Sequence, residues 1–171
     1  MSDSPLLQVL PSPFRRALVI ARVDFTPLHR RPNAVRVVAA LIIAVAGALA
    51  ADAILVAIGT HVFPSTVGDE HFRFADYAKL TVIGVVIGAV GWPVVTSVSS
   101  APTWLYGRLT ILISLVLFLP DVWLLIHHQP LKAVVVLMSM HVTVAAVIYF
   151  TMVNVAPIRL IAPAGSGSDR G

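Results

Sequence analysis

Four apolar runs, at residues 37–62, 78–98, 109–126 and 131–156, alternate with short polar stretches along the chain. Roughly 20 apolar residues in a helix cross the ~30 Å hydrocarbon core of a bilayer. A helix also satisfies its backbone polar groups internally, as lipid requires. The pattern predicts an all-α fold, a four-transmembrane-helix bundle over residues 34–158. A basic N-terminal segment (1–33) precedes it, and a small, polar tail (159–171), expected to be disordered, follows.

Residues 1–33 are polar and punctuated by proline. Within them Ser12-Pro13 reads as a helix start, serine capping and proline at the first helical position. Phe14, Leu18, Ala21 and Phe25 recur at spacings of four, three and four, which is one helix face. Arg15, Arg16 and Arg22 lie off that stripe. The segment is expected to form a short amphipathic helix on the inner membrane face. The alternative is a tail whose arginines only set orientation. Ala48-Leu49-Ala50 before Ala51 fits a signal-peptidase site, so cleavage near residue 50 is a further alternative. Against it, the basic region is long and the apolar run continues through Ile54, Leu55, Val56 and Ile58.

Composition agrees with a membrane chain. Hydrophobic residues make up 58% and charged residues 12%, whereas soluble domains carry about 25% charged residues. The net charge of +4 does not imply nucleic acid, because of where the charges fall. Arg15, Arg16, Arg22, Arg30, Arg31 and Arg36 all precede the first apolar run, where they act as a topology signal and attract anionic lipid. With the N-terminus inside, these six, Arg108, Arg159 and Arg170 are cytoplasmic, against Arg73, Lys79 and Lys132 outside. The expectation is N-in/C-in, multi-pass, in the cytoplasmic membrane. The sequence has no cysteine, so disulfide, thiolate-metal and thiol-nucleophile chemistry are excluded.

Gly84, Gly88 and Gly91 in the second run form a small-residue stripe, and Ala44, Gly47, Ala48 and Ala51 form another in the first. Lipid gives helices no hydrophobic drive to associate, so close backbone approach through small residues matters. The two stripes are expected to pack together; homodimerisation through the same face is the alternative.

Three ionisable residues lie deep within the runs, Asp52, Asp121 and His141, whereas His61, Lys79 and Lys132 sit at run ends. Such groups usually turn to the bundle interior and find partners there. At 1.5 Å per residue they lie roughly 12, 9 and 15 Å below the outer ends of their runs, on three helices. They are expected to form one intramembrane polar cluster, with Lys79 as a further partner. No two histidines have the i, i+4 spacing of a helical metal pair, and His127-His128 reads as a wet helix end, so no metal or other cofactor is expected. Thr81, Thr96, Ser114, Ser139 and Thr143 read as ordinary helix-contact residues. Walker, HExxH, GxSxG and dinucleotide-loop motifs are absent.

Residues 37–156 resemble a four-helix family of bacterial membrane proteins of unknown function, common in high-GC Gram-positive bacteria. The resemblance lies in the small-residue second run ending near Trp92 and in Ser114 followed by Pro120. It continues in Leu137-Met-Ser-Met-His141 with Ala145-Ala146, and in a polar first-run residue. That residue is often Asn in the family and is Asp52 here. The resemblance implies the topology and no chemistry.

The resulting expectation is a non-enzymatic scaffold, accessory subunit or assembly partner. Its partners would be membrane lipids and other membrane proteins or itself. The alternative is an oligomeric transporter or proton-coupled channel built on Asp52, Asp121 and His141. A third reading, a membrane enzyme using Asp and His at the outer face, has no motif behind it.

Overall fold

The computed structural model describes residues 11–20, 22–23, 29–30, 32–66, 72–127 and 129–160. Its order is α1 (Ser12–Ile20), β1 (His29–Arg30), α2 (Ala34–Val62), a 3-10 turn (Pro64–Thr66), α3 (Phe74–Val98), α4 (Pro102–Ile126), α5 (Leu131–Val155) and β2 (Arg159–Leu160). Ala21 and Phe25 of the apolar stripe, Arg31, His128 and residues 161–171 lie outside the described residues, whereas Arg159 and Leu160, expected in a disordered tail, are ordered by pairing as β2. Four of the helices are long and apolar enough to span a membrane. Each of the 25-residue helices α3, α4 and α5 extends about 37 Å, more than the ~30 Å core.

All four begin at or before the start of their apolar run, for local reasons. Asn33 caps α2: its Oδ1 accepts the Val35 N–H at 2.9 Å, satisfying a donor that a helix start otherwise leaves free. Pro102 occupies the first turn of α4, where a missing N–H costs nothing. This start explains why α4 outruns the 109–126 apolar run by seven residues at its N-terminus. Pro93 and Pro120 sit inside continuous helices.

The four helices run alternately up and down, and α2 packs chiefly on α5, α3 on α2, and α4 on α5. One end of the bundle collects the N-terminal segment, the α3–α4 turn and the residues after α5. There β1 pairs antiparallel with β2, His29 opposite Leu160. Val23 bridges Ser99, and the Ser99 hydroxyl donates to the Arg22 carbonyl at 2.8 Å. We call this the basic end, since Arg16, Arg22, Arg30, Arg36, Arg108 and Arg159 belong to its segments.

The interior holds two apolar clusters. The larger, toward the basic end, contains Ala40, Ala44, Ala48, Val85, Ala89, Trp92, Tyr106, Ile148 and Met152. The smaller, at the opposite end, contains Phe72, Tyr77, Ala133, Val136 and Met140. In the larger cluster the Trp92 indole N–H donates to the Ala156 carbonyl at 2.9 Å. This ties α3 to the end of α5, where helix geometry leaves carbonyls without intrahelical donors. Tyr106 stacks on Tyr149 and donates its hydroxyl to the Gly88 carbonyl at 2.9 Å. Trp92→Phe removes this buried donor and also shrinks a fully buried ring, so it should lower stability by at least about 1 kcal/mol in detergent unfolding. A wild-type unfolding midpoint in Trp92→Phe would show that this bond contributes nothing.

Candidate functional site

Ala40, Ala44, Ala48 and Asp52 form a stripe along α2, each with no exposed surface. Their spacing of four keeps them on one face, and the three alanines keep that face thin. Tyr77, Thr81, Val85 and Ala89 make the matching buried row on α3. At the end of the alanine row the Asp52 carboxyl meets a partner. The Thr81 hydroxyl donates to Asp52 Oδ2 at 2.6 Å. The other carboxyl oxygen, Oδ1, is buried without a hydrogen-bond partner.

Thr81 departs from its neighbours in type. Hydroxyls of Thr110, Ser114, Ser139 and Thr143 donate to the carbonyl four residues back on their own helix. That is the usual way a membrane helix satisfies such a group. Thr96 likewise bonds its own helix, at Pro93. Among these, Thr81 alone donates across to another helix, which corrects its expected role as an ordinary helix-contact residue.

A second pair joins α4 and α5. His141 Nδ1 lies 3.2 Å from Asp121 Oδ2 and 3.0 Å from the Leu137 carbonyl. Two acceptor oxygens converge on that nitrogen, so it carries the proton and the ring is held in one tautomer. Asp121 is buried, and the His141 side chain keeps 32% of its surface exposed. The Phe118 edge packs against the imidazole.

The helix register puts both pairs at one height. Along α2 and α5, Gly59 faces Val136 and Gly47 faces Val147, which brackets Asp52 opposite the turn that carries His141. Along α3 and α5, Gly88 faces Ile148, which sets Thr81 level with His141. Asp52, Thr81, Asp121 and His141 therefore form a single polar layer. On α2, α3 and α5 it separates the two apolar clusters.

Two expectations need correction. Lys79 is not part of this layer. Its Nζ sits 3.7 Å from Asp76 Oδ1, with both side chains mostly exposed. Two residues before Thr81 on a 3.6-residue helix, it points to roughly the opposite side. The glycine stripe of α3 does not pack on α2 either. A methyl built at Gly84 meets nothing within 4 Å, and methyls at Gly88 and Gly91 meet Ile148 and Tyr106 of other helices. On α2, Ala44 and Ala48 are fully buried, Gly47 faces Val147 of α5, and Ala51 is half-buried. The α2–α3 side-chain hydrogen bond lies instead at the end of the alanine row, between Asp52 and Thr81.

Sequence reasoning missed Thr81, the Trp92–Ala156 bond and Gly59. The i, i+4 row Ala40-Ala44-Ala48-Asp52 was the signal available for the first. Among the described residues no group of three or more His, Asp or Glu side chains is arranged to hold a metal ion. His127 is exposed, with Nδ1 3.0 Å from the Trp123 carbonyl. The His141 imidazole Nδ1–H donates to the Leu137 carbonyl and lies 3.2 Å from Asp121 Oδ2. No family model, curated protein or solved structure matches this chain.

Proposed function

We propose that this chain is a non-enzymatic protein of the cytoplasmic membrane, N-in/C-in, acting as a scaffold, accessory subunit or assembly partner. The observation that carries the reading is that the ionisable groups deep inside the spans, Asp52, Asp121 and His141, are engaged within the bundle. Asp52 is bonded to Thr81 and Asp121 faces His141. The large groove on the bundle's side, about 510 Å³, contains none of the four. The polar layer then fixes how the helices pack, and α4 supplies the docking surface. Apart from Asp121, its residues from Ile111 to Ile126 are exposed or half-buried. The basic end carries the arginine excess that faces the cytoplasm. Phe14, Val19 and Ile20 of α1 are exposed apolar residues suited to the lipid surface beside it.

A photocrosslinker placed at Leu112 or Leu119, both on the exposed face of α4, tests this in native membranes. A discrete adduct of one size is expected, unchanged by Asp52→Asn. A smear of adducts no different from one at Ile42, on α2, would count against the scaffold reading.

A second reading is favoured by one observation, the partnerless buried Oδ1 of Asp52. A carboxyl so placed is suited to binding a proton, as an oligomeric proton-coupled channel or transporter requires. In proteoliposomes loaded with a pH-sensitive dye, this reading expects a proton flux that Asp52→Asn and Asp121→Asn both abolish. Absence of flux in the wild type removes it.

A further inference from the structure

Two cations share one indole at the basic end. The Arg108 guanidinium carbon lies 3.8 Å from the Trp104 ring centre and that of Arg22 lies 5.3 Å from it. Both distances are within the range of cation–π attraction. Both arginines are exposed, and among the described residues no carboxylate pairs with either. Two uncompensated positive charges gathered around one indole favour an anion beside them, the more so in the low dielectric near a membrane.

Arg22 is also held there at a cost. Its φ of 52° is the one left-handed value among the described non-glycine residues, and that conformation costs roughly 1–2 kcal/mol in an L-residue. Backbone strain of this kind persists where the surroundings impose it and commonly marks a functional position. Here the Ser99 hydroxyl on the Arg22 carbonyl and the Val23–Ser99 bridge impose it. The result is to bring an arginine from the N-terminal segment beside one from α4.

Directly alongside, the groove between α4 and α5 begins at Gly107 and reaches Phe118. Eleven residues of helix rise about 16 Å, close to half of the ~30 Å hydrocarbon thickness. The groove therefore runs about the depth of one leaflet, and its near end at Gly107 is the residue next to Arg108. Its walls are small and apolar at Gly107, Ala145 and Ala146. The hydroxyls of Thr110 and Ser114, which also line it, donate to their own helix. Nothing in those walls asks for a polar ligand.

We propose that Arg22, Trp104 and Arg108 bind the phosphate of an anionic glycerophospholipid, one acyl chain of which lies in the α4–α5 groove. The assignment needs no protein partner and is separate from the scaffold reading. Each arginine near an anionic surface favours binding roughly fivefold, so the pair gives a preference of about 25-fold over a zwitterionic lipid with the same chains.

Native mass spectrometry of the full chain, offered equimolar phosphatidylglycerol and phosphatidylcholine in detergent, reads this preference directly. One retained phosphatidylglycerol is expected, with the preference lost in Arg22→Ala/Arg108→Ala. Ala146→Phe, which fills the groove and spares the arginines, should lose the bound lipid. Glycerol phosphate, the headgroup without chains, should not displace it. Equal retention of the two lipids by the wild type overturns the proposal, and that comparison decides even where a variant fails to fold. Displacement by glycerol phosphate overturns the role of the groove.

Discussion

Replacing Thr81 by valine is expected to destabilise the bundle by about 1–2 kcal/mol, although the two side chains have nearly the same shape. The change removes the hydroxyl that donates to Asp52 Oδ2. Because Oδ1 already lacks a partner, the carboxyl is then buried with neither oxygen bonded. Leaving a buried polar group unsatisfied costs about 1–3 kcal/mol in water-soluble proteins. Interhelical hydrogen bonds in a bilayer average about 0.6 kcal/mol and reach about 1.7, which sets the lower half of the range. The informative comparison is Asp52→Leu/Thr81→Val. With both polar groups gone nothing is left unsatisfied, so the double variant should be more stable than Thr81→Val alone. Unfolding in mixed micelles by SDS titration gives both numbers and their coupling. Strictly additive effects would mean that the 2.6 Å contact contributes nothing to holding α2 on α3.

The contrast between Thr81 and Asp52 shows where sequence reasoning reached and where it stopped. Charge is rare in a span, so Asp52, Asp121 and His141 stood out individually. Counting 1.5 Å per residue put them at similar depths because each helix crosses the same slab. The structure then pairs Asp121 with His141. Threonine is common in membrane helices and normally bonds its own backbone, as Thr110 and Thr143 do. Nothing local distinguishes Thr81 from them; its role follows from the rotation of α3 about its axis. Lys79 was drawn toward Asp52 by depth alone, which ignores that rotation. The spans themselves were legible because hydrophobic length is a one-dimensional property. Helix faces are not, where a span is apolar all round and no wet face marks the outside.

Glycine makes the same point with a larger expected effect. Gly59→Ala should cost about 1–3 kcal/mol, while Gly84→Leu should leave stability unchanged, although the motif containing Gly84 is the one that attracts notice. A methyl at Gly59 would stand 2.7 Å from Val136 Cγ2 and 3.2 Å from Cγ1. Valine in a helix has essentially one side-chain rotamer, so Val136 has nowhere to turn, and α2 and α5 must part. Overpacking of this size costs about 1–3 kcal/mol. Val136→Ala takes away the two methyls that clash, so Gly59→Ala/Val136→Ala should recover most of the loss. At Gly84 there is open space within 4 Å, so the leucine side chain extends into lipid. Loss of a dimer in Gly84→Leu, with the monomer intact, would instead assign that face to a second copy. Equal unfolding midpoints for Gly59→Ala and the wild type would mean that α2 and α5 are not in the register that sets Asp52 level with His141.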